Sequence, residues 1–186
     1  MKNNLIKGIR MTIVLLVLFM VIYPLSVWAI AQLAPNNGKG DVVSYNQNKG
    51  YANIGQSFTD DKFFWGRPSA VDYNAAGSGA SNKGASNDEY LAVVQGRIDT
   101  FLLKNPTVQK SQIPVDLVTA SGSGLDPNIS VTSAKVQIAR VQKARNVSEE
   151  KLNSLIDSNT EQPFLGVFGP TKVNVLKLNI ALDQLK

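Results

Sequence analysis

Apolar residues are distributed very unevenly along the chain. From Met11 to Leu33 there are 23 positions without a charge, with an unbroken run from Ile13 to Ile22. As a helix this stretch spans about 35 Å, enough to cross about 30 Å of hydrocarbon with some tilt. After Leu33 the pattern becomes that of a folded domain. Residues 34–50 are polar and rich in Gly and Asn, and read as a linker. Residues 51–64 are mixed and predict a short strand. Ser86 to Lys104 predicts a helix with a Ser86/Glu89 capping box, Leu91, Val94, Ile98, Phe101 and Leu102 on one face, and a stop at Asn105-Pro106. Ile113 to Ala120 predicts a strand with Pro114 near its start or on an edge. A helix follows from a Ser130 cap to about Arg145, with Ala134, Ile138 and Val141 inward and Asn146 as a left-handed terminator. Ser148 caps a third helix, with Glu149 and Glu150 in its first turn and Leu152, Leu155 and Ile156 inside. Phe164–Phe168 and Lys172–Val175 predict two short strands, and Leu178, Leu182 and Leu185 mark a closing helix. Strands and helices alternate, so the expected architecture is an α/β or α+β domain attached to one N-terminal transmembrane helix. The expected boundaries are 1–10 cytoplasmic, 11–33 transmembrane, 34–50 linker and 51–186 folded domain.

Charge orients the anchor. Lys2, Lys7 and Arg10 precede the apolar run, and the positive-inside rule places the N-terminus in the cytoplasm and the bulk of the chain outside. Tyr23 and Trp28 fall where aromatic rings favour the far interface. Ala29-Ile30-Ala31 also fits a signal-peptidase pattern, so a secreted protein released after Ala31 is the competing reading. The apolar stretch, however, exceeds the usual ~7–15 residues of a signal peptide. The net charge of +5 is concentrated in the N-terminus, and the other 153 residues carry 16 basic and 14 acidic side chains. A nearly neutral domain lacks the electrostatic footprint of a nucleic-acid binder.

Composition narrows the chemistry. The chain contains neither cysteine nor histidine, which removes thiol nucleophiles, thiolate metal sites, the usual neutral-pH base and the commonest metal ligand. One Ser-x-x-Lys pattern exists, Ser148-Glu149-Glu150-Lys151, but the Ser-Asp-Asn and Lys-Thr-Gly elements of Ser-Lys hydrolases do not occur. Asp60, Asp61, Asp116, Asp126, Glu149 and Glu150 show no EF-hand spacing, and Asp126 before Pro127 reads as a turn residue. Phe63-Phe64-Trp65-Gly66-Arg67-Pro68 reads as an aromatic core cluster with Arg67 stacked on a ring. Two small-residue loops stand out: 77–87, with Gly77, Ser78, Gly79, Ser81 and Asn82, and 121–128, with Ser121, Gly122, Ser123, Gly124 and Asp126.

Several blocks together carry a resemblance: Phe64 to Ser69, Gly77 to Asn82, Ile113 to Ser130, Gln137 to Val141 with Ala144-Arg145, and Val173 to Asp183. Their order and spacing resemble the C-subunit family of the bacterial Kdp potassium-transporting ATPase, across essentially the whole chain. The resemblance implies a non-catalytic subunit of a high-affinity, ATP-driven potassium importer, needed for assembly and activity. In that family it is described as a catalytic chaperone that raises the ATP affinity of the pump subunit. The chain itself lacks the Asp-Lys-Thr-Gly-Thr phosphorylation motif. The implied partners are a channel-like potassium-binding subunit, a P-type ATPase pump subunit and a small membrane peptide subunit, in the bacterial inner membrane. The subunit would hold no cofactor of its own; ATP and Mg are used by the complex, and potassium is the transported ion. The two loops are then candidate partner contacts. The alternative is a free-standing, membrane-tethered binding or Ser-Lys hydrolase domain.

Overall fold

The computed structural model describes residues 2–45 and 48–185. The chain divides into two compact units, Met1–Val42 and Val43–Lys186. The first is dominated by one continuous helical stretch, α1 (Lys2–Val17), a π-helical turn (Leu18–Ile22) and α2 (Tyr23–Ala31). It is long and apolar enough to cross a membrane. The helix begins well before the expected Met11, because helix propensity continues through the cationic residues even though hydrophobicity does not. The widened turn has an identifiable cause. Pro24 has no N–H to give and its ring crowds the preceding turn, and the Tyr23 N–H bonds to Leu18 O, five residues back. The helix is followed by a 3-10 turn, Pro35–Gly38.

The expected linker is more structured than its composition suggests. It holds most of a two-stranded sheet, β1 (Val42–Tyr45) and β2 (Asn48–Tyr51). Residues 46 and 47, inside the expected linker, lie outside the described residues, as does Met1 of the cytoplasmic segment. Only Tyr51 of the 51–64 stretch is in a strand; residues 52–64 run without a regular element.

The second unit is α+β. Beyond β2 it contains α3 (Asp88–Lys104), β3 (Asn128–Ile129), α4 (Val131–Lys135), α5 (Ile138–Arg145), α6 (Glu149–Ser158), β4 (Thr160–Glu161), β5 (Lys172–Asn174) and α7 (Val175–Gln184). Its sheet is antiparallel in the order β3-β5-β4, with Asn128 opposite Asn174 and Thr160 opposite Val173. Helices α4 to α7 pack on one another, and α4 and α7 lie against β5. The core joins Phe64, Phe101, Leu117, Ile129, Val173 and Leu178 with the inner faces of α5 and α6.

The local signals at the start of α4, the end of α5 and the start of α6 hold. Ser130 accepts from Ser133 N at 3.1 Å, Ser148 caps α6, and Asn146 closes α5 at φ 55. Other expectations fail for physical reasons. The cap of α3 is Asn87, which accepts from Tyr90 N at 3.0 Å. Glu89 pairs with Lys83 instead of reaching back to Ser86. Leu91 is exposed, and Phe101 is the buried anchor of that helix. The helix expected over 130–145 is two helices, broken at Val136-Gln137. Residues 113–120 form a 3-10 turn (Val115–Leu117) rather than a strand. Pro114 holds the extended entry to that turn, and the apolar run buries Leu117 and Val118 but leaves Val115 outside. Phe164 and Phe168 are joined by a single bridge at an exposed tip rather than by a strand.

Candidate partner-contact site

The irregular segment 61–65 satisfies its backbone with side chains. Asn179 forms a two-way amide pair with Phe64, accepting at 2.8 Å and donating at 2.9 Å. Gln137 pairs the same way with Trp65, accepting at 2.8 Å and donating at 3.1 Å. These amides stand where a neighbouring strand would otherwise pair. The break between α4 and α5 places Gln137 for this contact. Arg140 donates to Asp61 O at 2.6 Å and Phe63 O at 3.0 Å, and to Gln137 Oε1 at 2.6 Å and Asn105 Oδ1 at 3.2 Å. Its guanidinium lies 4.3 Å from the Trp65 ring centroid. Burial pushes its pKa down to about 10, against the opposing pull of Asp61 and Asp60.

The arginines stacked on rings of this block are therefore Arg140 and Arg145, the latter 5.0 Å from the Phe63 centroid, and not Arg67. Arg67 turns to Asp126, at 3.1 Å. Asp126 is also the expected turn residue, accepting from Asn128 N at 3.0 Å. The pair therefore ties the aromatic block to the second Gly/Ser loop. Ser69 adds a hub: its hydroxyl donates to Gly124 O at 2.6 Å and accepts from Val71 N at 3.1 Å and Tyr73 N at 2.9 Å. Tyr73 returns its hydroxyl to Arg67 O at 2.6 Å, and burial raises its pKa. Asp116 fixes the exit of the loop, accepting from Ser130 N at 2.7 Å and Ser133 Oγ at 2.5 Å.

The fold brings the two small-residue loops together. Gly79 N donates to Ser123 O at 2.8 Å, and the Ser78 hydroxyl donates to the same carbonyl at 3.0 Å. Gly124 sits at φ +68, and a Cβ there would lie 2.7 Å from Gly79 O. Only glycine allows this approach. Ser121 is buried under the loop, and Gly124 N bonds back to its carbonyl at 3.2 Å. Gly77, Ser81, Asn82 and Gly122 face solvent, and Gly122 has open space around it. Of the ten candidates, then, Ser78, Gly79, Ser121, Ser123, Gly124 and Asp126 build the junction, while the other four form its outer rim.

The arrangement presents a backbone-lined surface where the two loops meet. Among the described residues no group of three or more acids could hold a metal ion, and Ser148 serves as a helix cap, accepting from Lys151 N at 3.4 Å. Two grooves flank the junction. One, of about 460 Å³, runs between α3 and the aromatic block, lined by Trp65, Tyr73, Gly96 and Arg97. The other, of about 320 Å³, lies over Arg67, Asp126 and Lys172. Sequence reasoning missed Ser69, Tyr73, Gln137, Arg140 and Asn179 as the residues that fix this surface. Ser69, Gln137, Arg140 and Asn179 do fall inside the blocks that carry the family resemblance, which is the signal that could have found them.

Comparison with known proteins agrees across the chain. The family model for KdpC, the c chain of K+-transporting ATPase, matches residues 5–184. A Flavobacterium johnsoniae protein is 57% identical over 185 residues, covering 99% of this chain and 100% of its own length. A Flavobacterium psychrophilum protein is 55% identical over 185 residues with the same coverage. One from Caldanaerobacter subterraneus is 45% identical over 189 residues, covering 100% of this chain and 98% of its own. Each of the three is named potassium-transporting ATPase KdpC subunit.

Proposed function

The chain belongs to the KdpC family, the c chain of K+-transporting ATPases, and from that premise we propose that it is the non-catalytic accessory subunit of an ATP-driven potassium importer. In this reading the helix of residues 2–31 is a retained anchor with its N-terminus in the cytoplasm, and the α+β domain stands outside. The partners are a channel-like potassium-binding subunit, a P-type pump subunit and a small membrane peptide. ATP and Mg are used by the complex, and potassium is its cargo.

The observation that carries this reading to a site is the junction of the two loops. Glycines, hydroxyls and the Arg67–Asp126 pair are spent on holding 77–79 against 123–124. What remains outward is a rim of small uncharged residues, Gly77, Ser81, Asn82 and Gly122, on a braced backbone. Such a surface suits docking, because little conformational freedom is lost on binding. An outside domain cannot touch cytoplasmic nucleotide, so a chaperone effect on ATP affinity would have to act as coupling between states of the whole complex.

The test is detergent co-purification from potassium-starved cells with the exposed rim altered. Ser81→Arg, Gly77→Trp and Gly122→Trp change groups that face solvent, and Gly77 and Gly122 have open space for a side chain, so the domain stays folded. We expect recovery of the pump and channel-like subunits to fall at least fivefold. Full recovery with all three would remove the loops from the interface. Elution of the unaltered chain alone, from cells expressing the partners, would overturn the subunit reading itself.

A further inference from the structure

The hairpin between β4 and β5 ends in a tip whose side chains the fold leaves outside. Phe164, Leu165, Val167 and Phe168 are 72%, 74%, 77% and 66% exposed. An exposed apolar side chain on its own is ordinary, but four in one five-residue tip mark an interaction site. The tip is also well braced. Phe164 N donates to Phe168 O at 2.9 Å, Phe168 N to Phe164 O at 3.0 Å, Gly166 N to Pro163 O at 2.9 Å and Val167 N to Phe164 O at 3.2 Å. The N–H groups of Phe164, Gly166, Val167 and Phe168 are thus paired within the tip, which lowers the cost of moving them towards a medium poor in water. Leu165 stands at φ 54, the left-handed region where a hairpin turn favours Asn or Gly. A leucine there helps neither the turn nor solubility, so its presence points to an apolar environment.

We propose that this tip is a second membrane contact, a wedge dipping into the headgroup–acyl boundary of the bilayer that the N-terminal helix crosses; it rests on the reading of that helix as an anchor. Three observations favour lipid over a protein pocket. No side chain from Phe164 to Gly169 carries a hydrogen-bonding group, whereas anchors in protein pockets are enriched in Trp, Tyr and Arg. Lys172 and Lys177 flank Glu161 at the hairpin base, a collar with a net positive charge that complements anionic headgroups. Only residues 32–41 separate α2 from β1, a tether of at most about 35 Å fully extended. The start of the domain is therefore held within that distance of the end of the helix.

The absence of native cysteine makes the test direct. Val167→Cys in the full chain carries an environment-sensitive fluorophore, in nanodiscs of phosphatidylethanolamine and phosphatidylglycerol. Ala85→Cys, at another exposed loop position, is the wet control. We expect a blue-shifted label at position 167 and at least twofold quenching by lipids spin-labelled near the headgroup, with neither at position 85. Equal quenching of both labels by aqueous iodide would overturn the proposal. So would a label at 167 that is shielded only when the ATPase subunits are present and is untouched by spin-labelled lipid, since a protein pocket would then cover the tip. A wet label in a chain that still co-purifies with its partners sinks the wedge alone. A lipid-quenched label in a chain that purifies alone sinks the subunit reading alone.

Discussion

Gly124 concentrates the constraint that joins the two loops. Its φ of +68 is a region where an L side chain is strained, and its missing Cβ leaves room for Gly79 O and Val71 Cγ2, both 2.7 Å from where that atom would be. A Gly124→Ala change therefore meets a backbone carbonyl, which cannot step aside as a flexible side chain could. Left-handed strain alone costs about 1–2 kcal/mol. Parting the loops adds the loss of the Gly79–Ser123 bond, at about 1 kcal/mol. We expect about 2–3 kcal/mol less stability in urea unfolding for Gly124→Ala. Two residues away, Gly122 has nothing within 4 Å of a Cβ, and Gly122→Ala should lie within about 0.5 kcal/mol of the parent. Equal effects at the two positions would mean that the loops are not held by this approach. The sequence marks both glycines as turn residues and offers no means of ranking them. The difference arises from a carbonyl 45 residues away.

The same division between local and distant information runs through the elements. Helix α6 was legible because its start is written within four residues: Ser148 as cap, then Glu149 and Glu150. The pKa of the Glu150 carboxyl is held below its ordinary 4.5, first by its own backbone N–H and then by the Ser148 hydroxyl. The unfolded chain binds that proton more readily. The stabilisation is therefore complete above about pH 4.5 and is lost as pH falls through the depressed folded value. Glu150→Gln, which removes only the charge, should lower the urea midpoint at pH 7, and the gap from the parent should close in acid. A gap unchanged by pH would assign the effect to packing. Elements without a local signature were misread. Residues 113–120 have the composition of a strand but no strand to pair with. Residues 61–65 have ladder partners, but these are the amides of Gln137 and Asn179, far along the chain. The 164–168 tip is apolar without being core, and the rule that apolar means inside fails where an element faces something other than water. For the candidate site, the sequence singled out two loops by their small residues, and the structure brings these loops together. Their mutual contact depends on Ser69 and Arg67, whose roles no spacing rule reveals.

At the scale of the whole molecule, the two units divide the labour. Among the described residues every buried hydrophobic lies between Ala52 and Leu182, so the core owes nothing to the N-terminal helix. The second unit has its own sheet, helices and polar network, and a nearly balanced charge. It should fold without residues 1–39, giving a cooperative urea transition with the same midpoint as the domain in the full chain. Partner binding should behave differently. A tether that confines the domain to one membrane gives it an effective concentration in the millimolar range and strengthens binding by about 10²–10⁴-fold without any new contact. Residues 40–186 should therefore lose that factor, and co-elution with the pump and channel-like subunits should fall at least tenfold although the loop surface is intact. Failure of the fragment to fold would show that the helix contributes to the fold after all. Undiminished co-elution would place the whole affinity in the domain and leave the helix with no part in holding the complex.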